Sequence, residues 1–129
     1  MGRRYDHVDV RVRSLNKVRE FYRTILPALG FTHKVDLDGW LQFEAADHVE
    51  AREFFGVTES ASHVPNECRI AFWAESTNEV DRLADIVIRA GARNVEGPGY
   101  DEGLGYYAVF FEDPDGNHLE ICHREEGSR

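Results

Sequence analysis

Val8, Val10 and Val12 alternate with His7, Asp9 and Arg11, the period-two pattern of a strand with one apolar and one polar face. Behind it, Leu15, Val18, Phe21, Tyr22, Ile25, Leu26 and Leu29 fall at spacings of three and four, which predicts an amphipathic helix over 15–29. Ser14 is its expected N-cap, Pro27 should kink or finish it, and Gly30 supplies the stop. The same order returns later. Ile70 to Ala74 reads as a strand, Ser76-Thr77-Asn78-Glu79 has the form of a capping box, Val80, Leu83, Ala84, Val87 and Ile88 make an apolar helix face, and Gly91 closes it.

Setting His7-Val8-Asp9-Val10 over Arg69-Ile70-Ala71-Phe72 brings Ser14 over Ser76, Asn16 over Asn78 and Val18 over Val80 at a constant offset, with a slip of one residue by Gly30 and Gly91. Matching caps, helix lengths and stops argue for a duplicated module. Strands are predicted over 31–36, 40–45 and 51–57 in the first copy, with the Asp38-Gly39 turn between the first two. In the second copy they are predicted over 93–96, 106–112 and 117–123, with a loop opening at Gly97-Pro98-Gly99 and a turn at Asp113-Pro114-Asp115-Gly116. The order is βαβββ twice, module 1 at about 5–57 and module 2 at about 67–123, within a single domain over 1–129.

An amphipathic helix and a half-apolar sheet bury each other's apolar sides. The Val8, Val10 and Val12 face therefore goes under a helix, leaving His7, Asp9 and Arg11 on the opposite face, and the repeat puts Arg69, Ala71 and Trp73 on the corresponding face of module 2. In the last strand Leu119 and Ile121 alternate with His118, Glu120 and Cys122, so Glu120 shares the polar side. A His and a carboxylate of this kind suit a divalent cation such as Zn, Mn, Fe or Ni.

Charge narrows the partners. Fifteen Lys and Arg against twenty-four Asp and Glu give a net charge of −9, which repels a phosphate backbone, so no nucleic acid is expected. No apolar run approaches membrane-spanning length and no leader follows Met1-Gly2-Arg3-Arg4, so no membrane partner is expected and a cytoplasmic location is the default. Cys68 and Cys122 lie far apart with no Cys-x-x-Cys spacing and read as buried thiols. His33, His48, His63 and His123 have no partner near in sequence and read as surface residues. No Ser-His-Asp pattern supports a hydrolase.

The chain resembles the vicinal oxygen chelate superfamily, which includes glyoxalase I, extradiol dioxygenases, epimerases and bleomycin- and fosfomycin-resistance proteins. The resemblance covers residues 5 to 123. It is carried by Tyr5-Asp6-His7-Val8-Asp9-Val10-Arg11-Val12, the Ser14 to Gly30 helix, Arg69-Ile70-Ala71-Phe72, and the run Gly105 to Glu120 with its Asp113-Pro114-Asp115-Gly116-Asn117-His118-Leu119-Glu120 end. It implies an α+β fold in which two βαβββ modules form a half-barrel pair around a central cavity, a small-molecule ligand or substrate, and a homodimer. Metal-binding members resemble this chain in presenting a His on the first strand and a Glu on the last, which His7 and Glu120 match. Where they present a His opening the second module, this chain has Arg69, which is permanently protonated and does not normally ligate a metal. A further ligand, implied on the last strand of module 1, falls to Glu53 or equally to Arg52, and His118, His63 or Cys122 would have to substitute for the missing one.

Three functions follow. The first is a metal-assisted enzyme of lyase, isomerase or dioxygenase type, with His7 and Glu120 as ligands. The second is a metal-free protein of the bleomycin-resistance type that sequesters a small molecule. The third is a metal-free enzyme in which Arg69 supplies the positive charge and His7 or Glu120 the acid–base group for an anionic substrate. Arg69, Trp73 and Tyr107 are the expected substrate contacts. Gly97, Gly99, Gly103 and Gly105, with Pro98, suit a mobile lid over the cavity.

Overall fold

The computed structural model describes residues 5–45, 53–101 and 105–125. The chain divides between Val64 and Pro65 into two compact units, each carrying one βαβββ module. The first contains β1 (His7–Val12), α1 (Leu15–Ala28), β2 (His33–Leu37), β3 (Trp40–Glu44) and β4 (Phe54–Glu59). The second contains β5 (Arg69–Trp73), α2 (Thr77–Ala90), β6 (Arg93–Tyr100), β7 (Tyr106–Glu112) and β8 (His118–Arg124). Each module makes a four-stranded mixed sheet of the same topology, β1-β4-β3-β2 and β5-β8-β7-β6, in which the first strand lies parallel to the last.

The face assignments made from alternation hold within each unit. Val10, Val12, Leu41, Phe43, Phe55 and Val57 are buried together with Val18, Phe21, Tyr22 and Ile25 of α1. In the second unit Phe72, Val109, Phe111, Leu119 and Ile121 are buried with Val80, Leu83, Ala84 and Val87 of α2. Burying side chains of this size stabilises each module by roughly 1.5–3 kcal/mol apiece before conformational entropy is charged against it. The helix ends repeat as well. Gly30 and Gly91 both have positive φ, and the next amide in each case reaches back to a carbonyl five residues earlier, Phe31 N–H to Leu26 and Ala92 N–H to Val87, both at 3.0 Å.

The two helix starts differ. Ser76 Oγ accepts from the Glu79 N–H at 3.0 Å, and the Glu79 carboxylate accepts from the Glu75 N–H at 2.8 Å. Ser14 occupies the N-cap position of α1 but makes no side-chain cap bond. The Leu15 N–H donates instead to the Glu59 carboxylate, 2.8 Å away at the end of β4.

Two strand boundaries are corrected. The strand expected at 51–57 is β4, which reaches Glu59, and residues 51–52 lie outside the described residues. The loop expected from Gly97 is strand, because β6 runs on to Tyr100. Two register shifts against β7, between Arg93 and Glu96 and between Glu96 and Gly99, take up the irregular residues. Gly97 is required there, since a Cβ on it would lie 2.7 Å from the Ala108 carbonyl oxygen. The lid expected over Gly97 to Gly105 thus loses its first four residues to the sheet, and residues 102–104 lie outside the described residues.

Candidate functional site

Alternation along β5, β8 and β7 leaves one face of the second sheet free of α2. Register places Arg69 beside His118 and His118 beside Glu112 along one row. The next row runs Ala71, Glu120, Phe110, Glu96, and a third begins with Trp73, Cys122 and Ala108. Arg69 starts on the edge strand, yet its guanidinium carbon lies 5.0 Å from the centroid of the Phe110 ring, two strands away. Since adjacent strands are about 4.8 Å apart, the side chain crosses over β8 to reach it. A guanidinium over an aromatic face is a cation–π contact, worth about 0.5–1 kcal/mol when exposed.

This face carries a cavity of about 490 Å³ bordered by Arg69, His118, Phe110, Glu112, Glu96 and Asn94, within the range of small-molecule sites. Asn94 donates from Nδ2 to the Glu112 carboxylate at 3.0 Å. Among the described residues Arg69 has neither an ion pair nor a hydrogen bond. Its guanidinium rests against a ring and, among the described residues, forms no ion pair.

Glu120 is only 6% exposed, so its carboxylate needs a donor. The Tyr106 hydroxyl provides it, reaching along β8 past Cys122. Burial first, and then hydrogen bonding to Cys122 and Glu120, hold the Tyr106 hydroxyl well above the ordinary tyrosine range. It therefore stays protonated and acts as a fixed donor. Arg124 covers the other side of the same ring, its guanidinium carbon 4.6 Å from the centroid.

In the first unit the His7 ring stacks on Phe54, its partner across the β1–β4 ladder, with centroids 4.5 Å apart and planes 3° apart. Its Nδ1 lies 2.7 Å from the Asp6 carboxylate. The β4 residue that shares the face of His7 is Phe54, which cannot ligate. Glu53 precedes β4, its carbonyl accepting from the Ala45 N–H at 3.0 Å, and Arg52 lies outside the described residues, as does His48.

The sequence-based site is brought together only in part. Arg69, His118 and Glu120 share one face of one sheet. Trp73 has the same parity but stands at the other end of β5, 66% exposed, with its ring 5.9 Å from that of His123. His123 is part-buried and bonded through Nδ1 to the Ala74 carbonyl at 2.9 Å, not a free surface histidine. Cys122 is buried as expected, whereas Cys68 is exposed.

Tyr107 stands on the opposite face of the sheet from Arg69. Val109 and Phe111 face α2 and carry Tyr107 with them, and its hydroxyl donates to Asp81 of α2 at 2.6 Å. The tyrosine on the Arg69 face is its neighbour Tyr106. The alternation of Tyr106, Tyr107, Phe110 and Phe111 across two faces marks half of them as possible pocket lining, and Phe110 is one that borders the cavity. Glu96 and Glu112 were passed over, although the parity set by Val109 and Phe111 assigns Glu112 to the same face.

The donor chemistry does not fit a resident metal. Among the described residues no group of three or more His, Cys, Asp and Glu side chains is placed to hold an ion. Of the three family positions, one is a guanidinium, and the Glu120 carboxylate is already hydrogen-bonded to a tyrosine. Among the described residues no helix is long and apolar enough to cross a membrane.

A repeated βαβββ module, each copy with a four-stranded mixed sheet of this order, is the glyoxalase-like fold. The sequence profile of the Glyoxalase/Bleomycin resistance protein/Dioxygenase superfamily matches residues 4–121, and the chain belongs to that superfamily. A glyoxalase/bleomycin resistance protein from Albidiferax ferrireducens is 26% identical, with a TM-score of 0.75 over 94% of this chain and 98% of that one. An integron cassette protein from the mobile metagenome of the Halifax Harbour sewage outfall is also 26% identical, with a TM-score of 0.66 over 91% and 95%. The fosfomycin resistance protein FosX from Listeria monocytogenes shares the fold at 19% identity, with a TM-score of 0.71 over 98% and 97%. No protein of curated function matches the chain.

Proposed function

We propose that the chain is an enzyme acting on a small oxygenated anion, with Arg69 in the role that a metal has in other members of the superfamily. The observation that carries this reading is the Arg69 guanidinium, held over Phe110 in a cavity where, among the described residues, no carboxylate is paired to it. A guanidinium in this state offers a bidentate contact to a carboxylate and a fixed positive charge to an oxyanion as it forms. Glu120 is the proposed acid–base group and Tyr106 positions it.

In such a step Glu120 takes the proton from the carbon next to a substrate carbonyl. The released electron pair moves into the carbonyl, and the negative charge gathers on the oxygen beside Arg69. Return of the proton from Glu120 completes an isomerisation, and loss of a leaving group from the same enolate completes an elimination. Both belong to the lyase and isomerase classes. A homodimer and a cytoplasmic location are part of the same proposal and rest on the family resemblance.

A second reading is favoured by the burial of Glu120, 6% exposed. A carboxylate that shielded suits a protein that binds the anion through Arg69 and performs no chemistry. Deuterium exchange into the methyl group of pyruvate, followed by proton NMR in heavy water, separates the two. Exchange that is lost in both Arg69→Ala and Glu120→Gln supports the enzyme. Pyruvate-induced shifts at His118 without exchange support the binding protein, and exchange or shifts unaffected by Arg69→Ala overturn both.

A further inference from the structure

The cavity does not end at Arg69. Glu96 is the cross-strand partner of Phe110 on the side away from β8, and among the described residues it has no hydrogen bond or ion pair of its own. A second recess of about 240 Å³ opens beyond it, bordered by Tyr100, Asp101 and Ala108 and sharing Glu96 and Phe110 with the first. Arg69 and Glu96 thus border the same cavity from strands on opposite sides of Phe110, the guanidinium over its ring, and among the described residues the two charges do not pair with each other. Two strands, β8 and β7, separate their anchoring points.

Resting on the reading of Arg69 as the anion anchor, we infer that the ligand is a zwitterion, a short amino-carboxylate or its like, lying across Phe110 with its carboxylate at Arg69 and its cationic end at Glu96. The complement follows from the charges. A simple anion would satisfy Arg69 and leave Glu96 facing its apolar tail, and a simple cation would do the reverse. A molecule carrying both charges, with a few methylene carbons against the ring, satisfies both and buries its apolar middle. Glu112 also borders the cavity with its charge intact, but it stands in the neighbouring row beside His118, with one carboxylate oxygen held by Asn94.

The test is an NMR titration of the full chain with γ-aminobutyrate, butyrate and butylamine, following the amides of His118, Phe110 and Glu96, repeated on Glu96→Gln and Arg69→Ala. The inference expects γ-aminobutyrate to bind about fivefold tighter than butyrate, the worth of one partly exposed charge pair. It expects Glu96→Gln to remove that advantage while leaving butyrate bound no more weakly than before, and Arg69→Ala to weaken both. Glu96 is exposed, so its amide variant keeps the fold. Equal binding of butyrate and γ-aminobutyrate, lost in Arg69→Ala, overturns the zwitterion and leaves the Arg69 reading standing. Binding of neither carboxylate overturns both, and binding of butylamine alone overturns the Arg69 reading in favour of a cation site at Glu96.

Discussion

The Tyr106 hydroxyl donates a hydrogen bond to the Glu120 carboxylate from the adjoining strand. Replacing it with Phe leaves a shielded carboxylate without that donor, which costs roughly 1–3 kcal/mol. Urea denaturation at neutral pH measures the loss. The same pair sets an alkaline signature. Tyr106 is harder to ionise in the folded chain than in the unfolded one, so its contribution is complete below the ordinary tyrosine value of 10.0 and falls away above it. The fall in stability above that pH should be shallower in Tyr106→Phe than in the parent. Equal slopes would mean that the phenol is not held by Glu120 and Cys122.

Helix α1 is capped by Glu59 and α2 by Ser76. Glu59→Ala and Ser76→Ala should each cost about 1 kcal/mol, and Ser14→Ala much less, although Ser14 occupies the same position in its module. Thermal unfolding of the three variants side by side checks the contrast. A Ser14→Ala loss as large as that of Ser76→Ala would show the cap to be local after all.

Gly97 and Gly99 bracket one proline and have opposite tolerances. At Gly97, with φ of +90°, an added methyl would meet the Ala108 carbonyl oxygen at 2.7 Å, while at Gly99 nothing lies within 4 Å. Gly97→Ala should destabilise by more than about 2 kcal/mol, and Gly99→Ala should be within about 0.5 kcal/mol of the parent. Proteolysis resistance of the two variants gives the readout.

Asp36 of β2 pairs with Arg19 at 2.8 Å and also with Arg23. The hydrogen bond from Arg23 first, then the charges of the two arginines, hold its carboxyl below the ordinary value of 3.8. A depressed carboxylate contributes stability above its unfolded value and loses it as the pH falls through the folded one. Asp36→Asn should therefore be less stable than the parent at neutral pH and should converge with it in strong acid. An acid limb identical in the two chains would count against the pairing.

What could be read from the sequence was the part that depends on neighbours in the chain. Alternation at Val8, Val10 and Val12 and the stops at Gly30 and Gly91 express backbone geometry within a few residues, and the repeat, the helix faces and the shared polar face of Arg69, His118 and Glu120 follow from them. The rest depends on distant partners. Nothing near Ser14 says that Glu59 will take its place, and Gly97-Pro98-Gly99 has the composition of a loop until β7 is there to pair with it. Adjacent tyrosines at 106 and 107 always point opposite ways, so choosing between them required the anchor that Val109 and Phe111 provide. That Arg69 would bridge two strands to a ring, with no carboxylate as its partner, is a property of side-chain reach across the sheet and leaves no trace in spacing.

The parallel ladder between the first and last strands of each module bears on how the protein is made. β1 pairs with β4 and β5 with β8, so neither sheet can be completed before its final strand has been synthesised. Until then His7 to Val12, or Arg69 to Trp73, waits beside a helix with its hydrogen-bonding groups in water. Long-range pairing of this kind slows folding. The ribosome, releasing the N-terminal module first, allows one sheet to close before the other has a full set of strands.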